Sequence, residues 1–130
     1  LFISCVHELK NINMSLSDLT KINCLLVKKI LGNYYKKQII FKKPNDLLIG
    51  KKKISGILQV IISKSDSRFL IIGIGINLTK SPKIKNYPTT NLFELINKRI
   101  NKTIIENELK VLFEKNLSRL YKINNKLNKI

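Results

Sequence analysis

The sequence predicts an α/β protein of the α+β type, in which β-strands and amphipathic helices contribute to one hydrophobic core. Three apolar runs, at 47–49, 54–62 and 69–76, have the length and composition of strands. Two segments, 16–30 and 105–120, carry apolar residues at helical spacing. With 130 residues, the chain is long enough for a single domain or a large part of one.

The beginning of the chain predicts a strand and then a helix. Residues 1–6 form a short apolar run that is typical of a strand. The segment from Ser15 to Asp18 has the pattern of a capping box, which predicts a helix that Gly32 ends. Residues 38–42 predict a further strand. Because the chain begins with leucine rather than methionine, we expect it to be a piece of a longer protein.

A β-hairpin is predicted around Gly50. This glycine separates the apolar runs 47–49 and 54–62, as expected for two antiparallel strands joined by a tight turn. Asp46 and Lys53 then lie near one another across the two strands. A polar turn at 63–67 joins the second strand to the third.

The hairpin is preceded by a corner that offers polar groups. Pro44 has a fixed backbone φ angle and favours an extended conformation in Lys43. Asn45 and Asp46 follow at once, so an amide and a carboxylate are presented at a rigid point. This combination suggests a functional site.

Glycines within the strands add to this signal. Gly56 interrupts the second strand and the Gly73-x-Gly75 pair interrupts the third, which ends at Asn77. A glycine inside a strand marks a bulge or the close approach of a ligand or another backbone. The pair does not fit a dinucleotide-binding fingerprint, because Leu78 occupies the position of the third glycine.

The remainder of the chain predicts a loop followed by two helices. The loop covers 78–88 and contains two prolines. Thr89 and Thr90 are expected to cap a short helix that begins near Asn91, with three side chains facing inward: Leu92, Phe93 and Ile96. A capping box at Thr103 is expected to open a long helix with core-facing residues at Ile105, Leu109, Leu112, Phe113 and Leu120.

The charge of the chain is +17 with a pI near 10.1, which would normally indicate a nucleic-acid partner. Only three of its 25 basic residues are arginine, namely Arg68, Arg99 and Arg119. Lysine, isoleucine and asparagine share A/T-rich codons, so we favour genomic base composition over a nucleic-acid groove as the cause. Binding to nucleic acid is expected to be non-specific and to weaken with salt. A basic nucleic-acid-binding module remains an alternative.

Cysteine and histidine usage argues against zinc and triad chemistry. Cys5 and Cys24 lack the spacing of metal ligands, and His7 is the only imidazole. Two reduced, buried thiols in a cytoplasmic protein are expected. The longest apolar run, 69–76, is much shorter than the roughly 20 residues that span a bilayer, so no membrane association is expected.

Four motifs together resemble the catalytic domain of biotin protein ligases. They are Lys42-Lys43-Pro44-Asn45-Asp46, Lys53-Ile54-Ser55-Gly56-Ile57-Leu58, Gly73-Ile74-Gly75-Ile76-Asn77 and Thr89-Thr90-Asn91-Leu92. Their order and spacing agree with the family from about Leu1 to Tyr121. The resemblance implies a mixed, mainly antiparallel β-sheet flanked by helices, a fold shared with lipoate ligases. Residues 1–122 are then a partial catalytic domain, incomplete at its N-terminus, and 123–130 a polar tail.

The resemblance implies an enzyme that joins biotin to ATP, forms biotinyl-5′-AMP and transfers biotin to a lysine of a carboxylase's biotin carrier domain. Lys53 matches the family lysine that stabilises negative charge where the biotin carboxylate meets the α-phosphate. Asp46 is similar to a carboxylate placed near Mg²⁺ or near the incoming lysine amine. The remaining substrate-binding residues implied are Asn45, Gly56, Gly75 and Asn77. ATP and Mg²⁺ are the implied cofactors.

Two departures from the family pattern are visible. Lys43 stands where the family usually has tryptophan, which removes an aromatic packing surface. The Gly/Arg-rich loop and the biotin-pocket strands, which precede this segment in the family, are not within these residues. The chain alone is therefore expected to be inactive. A homodimer through the sheet is an expected assembly, and a lipoate-type ligase or acyltransferase of the same fold remains an alternative.

Overall fold

The computed structural model describes residues 1–9 and 14–128, with side chains as far as residue 117. In chain order the elements are β1 (Phe2–Glu8), α1 (Leu16–Leu31), β2 (Ile40–Lys42), β3 (Asp46–Ile49), β4 (Lys52–Lys64), β5 (Ser67–Ile76), α2 (Leu92–Ile96) and α3 (Lys102–Asn128). The predicted α+β fold class is confirmed. Residues 123–128, expected to lie in a tail, are part of α3.

The five described strands form one sheet in the order β1-β5-β4-β3-β2. Every neighbouring pair is antiparallel, so the predicted mainly antiparallel sheet is confirmed. Within the described part of the chain, parallel pairing is limited to an isolated bridge between Lys53 and Thr89. This bridge attaches the segment after β5 to the beginning of β4.

Tight turns connect the central strands. Gly50 has a φ of 61° in the turn between β3 and β4, a conformation that glycine adopts without strain. Ser65 and Asp66 have φ values of 49° and 65° and join β4 to β5. This turn is shorter than the polar segment 63–67 predicted, because both strands continue their pairing as far as the turn itself.

The hydrophobic core lies between one face of the sheet and the helices. On β5 every second residue is buried: Leu70, Ile72, Ile74 and Ile76. Buried helical side chains face them, including Leu19, Val27, Leu31, Ile105, Leu109 and Phe113. The core positions predicted on α3 are thus confirmed as far as Phe113, with Leu112 partly buried. Leu120 falls outside the described side chains.

The N-termini of α1 and α3 are capped by side-chain oxygens. Ser15 Oγ accepts a hydrogen bond from Asp18 N at 3.1 Å, as the sequence predicted. At α3 the acceptor is Asn101 Oδ1, which receives the N–H groups of Thr103 and Ile104 at 2.9 and 3.2 Å. The predicted capping box at Thr103 is therefore wrong, because the cap precedes it by two residues.

The cap of α2 also differs from the prediction. Asn91 is the N-cap, and its Oδ1 accepts a hydrogen bond from the N–H of Glu94 at 2.7 Å. Residues 89–90 are therefore not the cap. The polar residues before it are held by backbone pairing to β4 instead. Of the three side chains expected to face inward, only Leu92 is buried. Phe93 is exposed and Ile96 is half-buried.

The two thiols and the imidazole are not activated. Cys5 and Cys24 are free, with Cys24 buried and Cys5 partly buried. Burial raises the pKa of the Cys24 thiol to about 12, so this thiol stays protonated at neutral pH. Burial also lowers the pKa of His7. None of the described helices is both long and apolar enough to cross a membrane.

The second face of the sheet, which we call the open face, carries apolar side chains that remain exposed. It is defined by Phe2, Val6, Leu58, Val60 and Ile62, which are 42 to 90% exposed. The strand register places them on one side, since Val6 and Val60 both lie opposite Ile71. A contiguous apolar surface of this kind is typical of an interface or of a surface that associates.

We predict that the 130-residue chain, alone in solution, associates through the open face. Replacing Leu58 and Val60 with threonine removes apolar surface but keeps β-propensity. The double variant should be more monomeric in analytical ultracentrifugation, with a free energy of unfolding within about 1 kcal/mol of wild type. Val111→Thr, at an exposed valine of α3, is the control and should associate like wild type. A wild-type chain that stays monomeric at high concentration would contradict the prediction.

Candidate active site

A strip of bare backbone crosses the open face near one end of the sheet. Gly56 of β4 lies opposite Gly75 of β5, and we call this pair the glycine floor. Asp46 of β3 flanks it on one side and Phe2 of β1 on the other. A Cβ atom on Gly75 would lie 3.3 Å from the ring of Phe2. The absence of side chains leaves a depression in which a ligand can approach the peptide backbone closely.

A β-bulge stands beside the glycine floor. Leu47 pairs with Ser55, but its neighbour Leu48 pairs with Lys53, so β4 has one extra residue, Ile54, at this point. A bulge of this kind changes the direction of the side chains next to it. Ile54 is fully buried and Lys53 is turned outward.

The bulge brings Lys53 above the glycine floor. Its Nζ atom lies 3.2 Å from Asp46 Oδ1, which confirms the predicted proximity of these residues across the hairpin. A Cβ atom on Gly56 would lie 3.0 Å from both Cε and Nζ of Lys53 and 3.2 Å from Asp46 Oδ1. Glycine at position 56 therefore leaves the space that the lysine side chain occupies directly over it.

The backbone of Lys53 is fixed by the segment that follows β5. Its N–H donates to the carbonyl of Pro88 at 2.8 Å, and its carbonyl accepts from the N–H of Thr90 at 2.9 Å. Asn77 Nδ2 donates to the carbonyls of Lys53 and Thr90 at 3.3 and 3.0 Å. Asn77 thus links the beginning of β4, at Lys53, to the segment around Thr90.

Asn45 has a similar arrangement on the other side of the bulge. Its Nδ2 donates to the carbonyl of Ile57 at 2.6 Å, while its own carbonyl accepts from Ile57 N at 3.0 Å. Among the described residues nothing donates to Oδ1 of Asn45 or of Asn77. Each asparagine therefore uses its amide nitrogen to hold β4 and keeps a side-chain oxygen that can accept a hydrogen bond from a ligand.

Tyr87 lies against Asp46 and Lys53, and the sequence analysis did not predict it as a site residue. Its hydroxyl donates to Asp46 Oδ2 at 2.5 Å, and Lys42 Nζ and Lys53 Nζ lie 4.4 and 5.6 Å from its ring centroid. Burial, together with the hydrogen bond to Asp46, raises the pKa of Tyr87 to about 12. A lone aromatic residue in the polar loop 78–88 was the only sequence signal for it.

The site opens into a cavity of about 910 Å³. The cavity is lined by β1, β4, β5 and the segment after β5, and its volume suits a small organic molecule. Five of the predicted site residues line it: Asn45, Lys53, Gly56, Gly75 and Asn77. Asp46 lies beside the cavity and forms the ion pair with Lys53, which lines it.

Asp46 is the only predicted metal ligand, and the geometry around it is not that of a preformed metal site. Its two carboxylate oxygens are engaged by Lys53 and Tyr87. No group of three or more potential His, Cys, Asp or Glu ligands occurs in the described part of the chain. A protein-held Mg²⁺ at Asp46 stays a prediction.

The chain belongs to the Biotin/lipoate A/B protein ligase family, whose pattern matches residues 3–77. No curated protein sequence matches the chain. The family fits what the site offers, namely a small-molecule cavity with a half-buried floor of backbone and a lysine ammonium held beside Asp46.

Solved structures of ligases share the fold. The biotin protein ligase from Aquifex aeolicus in complex with biotin and ATP superposes with a TM-score of 0.69 at 23% identity, covering 91% of this chain and 50% of that one. The Leishmania major enzyme in complex with biotinyl-5-AMP gives 0.71 at 19% identity, covering 96% and 59%. LipL1 of P. falciparum in complex with lipoate gives 0.55 at 23% identity, covering 95% and 35%. The chain thus spans about half the length of the biotin protein ligases it matches.

We predict that Gly56→Ala displaces Lys53 without unfolding the sheet. The added methyl group would meet the lysine side chain and Asp46, and the flexible lysine is the group that can move. In a crystal structure of the variant the distance from Nζ to Asp46 Oδ1 should exceed the ion-pair limit of about 4 Å.

Gly73→Ala is the matched control, because its Cβ would meet only the carbonyl of Leu58 at an ordinary 3.8 Å. Both variants should keep a free energy of unfolding within about 1 kcal/mol of wild type. An unchanged ion pair in Gly56→Ala would show that Lys53 does not lie over the floor.

Proposed function

We propose that the chain is part of the catalytic domain of a biotin protein ligase, which uses ATP to join biotin to a lysine of a biotin carrier protein through biotinyl-5′-AMP. The observation that carries the proposal is the ammonium group of Lys53, held over the glycine floor inside a cavity of ligand size. Family membership and the fold of the biotin-bound relatives support it.

Lys53 is the residue assigned to adenylate formation. When the carboxylate of biotin attacks the α-phosphate of ATP, pyrophosphate leaves and negative charge accumulates on the atoms between the two reactants. A fixed cation at that point stabilises the transition state more than the separate substrates. The backbone of Lys53 is held because its N–H donates to the carbonyl of Pro88 and its carbonyl accepts from Thr90 and Asn77, so little reorganisation is needed.

Asp46 is assigned to the second half-reaction. Its Oδ1 is paired with Lys53 in this structure, and it becomes available after the adenylate has formed, when the lysine exchanges this partner for the oxygens of the adenylate. The amine of the carrier lysine attacks the acyl carbonyl, AMP leaves with the electron pair of the acyl–phosphate bond, and the amine loses a proton. A carboxylate beside the attacking nitrogen can receive that proton.

The other assigned residues contact the ligand. The free Oδ1 atoms of Asn45 and Asn77 point to roles as acceptors for the hydroxyl or amino groups of the adenylate. Gly56 and Gly75 allow the ligand to lie against the backbone. Mg²⁺ is expected to arrive with the phosphates of ATP, which is the usual way that nucleotide sites use it.

The remaining parts of the proposal concern the whole protein. Its partner is the biotin carrier domain of a carboxylase such as acetyl-CoA carboxylase, its location is the cytoplasm, and it forms a homodimer through the sheet. The chain alone is expected to be inactive, because the reactive adenylate must be closed off from water by residues outside this segment.

Lipoate ligation is the second candidate function. It is favoured by the similarity to lipoate-bound LipL1, which covers 95% of this chain, and by the breadth of the family. Competition between biotin and lipoate in the ATP–pyrophosphate exchange reaction distinguishes the two activities. Exchange that depends on lipoate and not on biotin would replace the primary proposal.

We predict that Lys53→Ala, in the complete enzyme, slows biotin-dependent ATP–pyrophosphate exchange by two to three orders of magnitude, since electrostatic donors of this kind contribute about 3–4 kcal/mol. Lys52→Ala is the matched control, since Lys52 is exposed on the same hairpin and does not line the cavity. This control should exchange at the wild-type rate. Normal pyrophosphate release by Lys53→Ala would remove Lys53 from the mechanism.

A further inference from the structure

Tyr87 contacts both members of the central ion pair, although it belongs to none of the sequence motifs. Its hydroxyl donates to Asp46 Oδ2 at 2.5 Å, and its ring centroid lies 5.6 Å from Lys53 Nζ. A second cation, Lys42 Nζ, lies 4.4 Å from the same ring. The negative face of an aromatic ring attracts such cations, so Tyr87 stabilises the ammonium groups as well as the carboxylate.

The two oxygens of Asp46 have different partners. Oδ1 lies against Lys53 and Oδ2 accepts the hydrogen bond from Tyr87. Within the described part of the chain, no other group donates to Oδ2. Without the phenol hydroxyl, the carboxylate would be held by Lys53 alone and could rotate, and Lys53 would lose the fixed partner that keeps its ammonium over the glycine floor.

The hydroxyl is present as a donor at every pH at which the enzyme would work. Burial and the hydrogen bond to Asp46 raise the pKa of Tyr87 to about 12, so the phenol remains protonated. Tyr87 lies in the loop after β5, close to Pro88, whose carbonyl accepts the N–H of Lys53. The same short segment therefore fixes Lys53 through its backbone and Asp46 through a side chain.

We propose that Tyr87 is a positioning residue for adenylate formation. Its hydroxyl holds the Asp46 carboxylate, and through that carboxylate the Lys53 ammonium, at the place where the acyl–phosphate bond forms. Tyr87 acts through Asp46 and touches none of the reacting atoms. This inference rests on the proposed function, which supplies the reaction.

The test measures biotin-dependent ATP–pyrophosphate exchange by the complete enzyme with Tyr87→Phe, a change that removes only the hydroxyl. Because a hydrogen bond to a charged group is lost, kcat should fall about tenfold. KM for ATP and for biotin should change less than about twofold, since the bond orients a group that acts in the transition state. A purely structural role would not separate kcat from KM in this way.

The chain provides a matched control at Tyr34. Its hydroxyl also donates to a carboxylate at 2.5 Å, Oε1 of Glu108 on α3, and the pKa of Tyr34 is likewise raised to about 12 by burial. Tyr34→Phe therefore removes the same kind of hydrogen bond away from the cavity. It should lower the free energy of unfolding about as much as Tyr87→Phe does and leave kcat unchanged.

A second variant tests the route through Asp46. In an Asp46→Asn background, Tyr87→Phe should cause little further loss of exchange, because two residues that act through one contact are not additive. Wild-type kcat in Tyr87→Phe, an equal loss in Tyr34→Phe, or full additivity with Asp46→Asn would each overturn the inference. A wild-type enzyme without biotin-dependent exchange would instead overturn the proposed function on which it rests.

Discussion

The β-bulge at Ile54 is the constraint on which the site depends. Without the extra residue, β4 would pair with β3 in one continuous register, and Lys53 would not be turned over the glycine floor. Because Ile54 is completely buried, the bulge is anchored in the hydrophobic core. Packing of the core therefore determines where Lys53 lies, and the polar contacts around its backbone and ammonium group then fix the direction of its side chain.

The side-chain amide nitrogens around the bulge hold the backbone of β4 in place. The amide nitrogens of Asn45 and Asn77 both donate to backbone carbonyls of β4, one on each side of the bulge. These partly buried hydrogen bonds stabilise one conformation of β4 and so restrict the position of Lys53. Their side-chain oxygens remain available to a ligand. Each asparagine can thus serve structure and binding at once.

The two faces of the sheet differ in what covers them. One face is covered by α1 and α3 and contains the core, while the open face carries the glycine floor and exposed apolar side chains such as Leu58. The open face lines one side of the cavity, so exposed apolar side chains lie next to the site. The chain spans about half the length of the biotin protein ligases whose fold it shares.

Much of the fold was predictable, because local patterns determine it. Strand alternation, the glycine turn at Gly50 and the Ser15 cap depend on neighbouring residues and were confirmed. The caps of α2 and α3 were assigned to the wrong residues, since several adjacent polar side chains compete and tertiary pairing decides between them.

The site was predictable in part for the same reason. Asp46 and Lys53 lie seven positions apart, on the two strands of one hairpin, so their contact was expected and found. Tyr87 contacts Asp46 from a loop whose path depends on long-range contacts, and no local sequence pattern predicts this contact. The bulge at Ile54 was likewise not located, although Gly56 signalled a close approach.

The most direct test of the account is a crystal structure of the complete enzyme with a non-hydrolysable analogue of biotinyl-5′-AMP. The analogue should lie against Gly56 and Gly75, with Lys53 Nζ within hydrogen-bond distance of the oxygens that join the acyl group to the phosphate. An analogue bound elsewhere, or bound here while Lys53 remains paired only with Asp46, would contradict it.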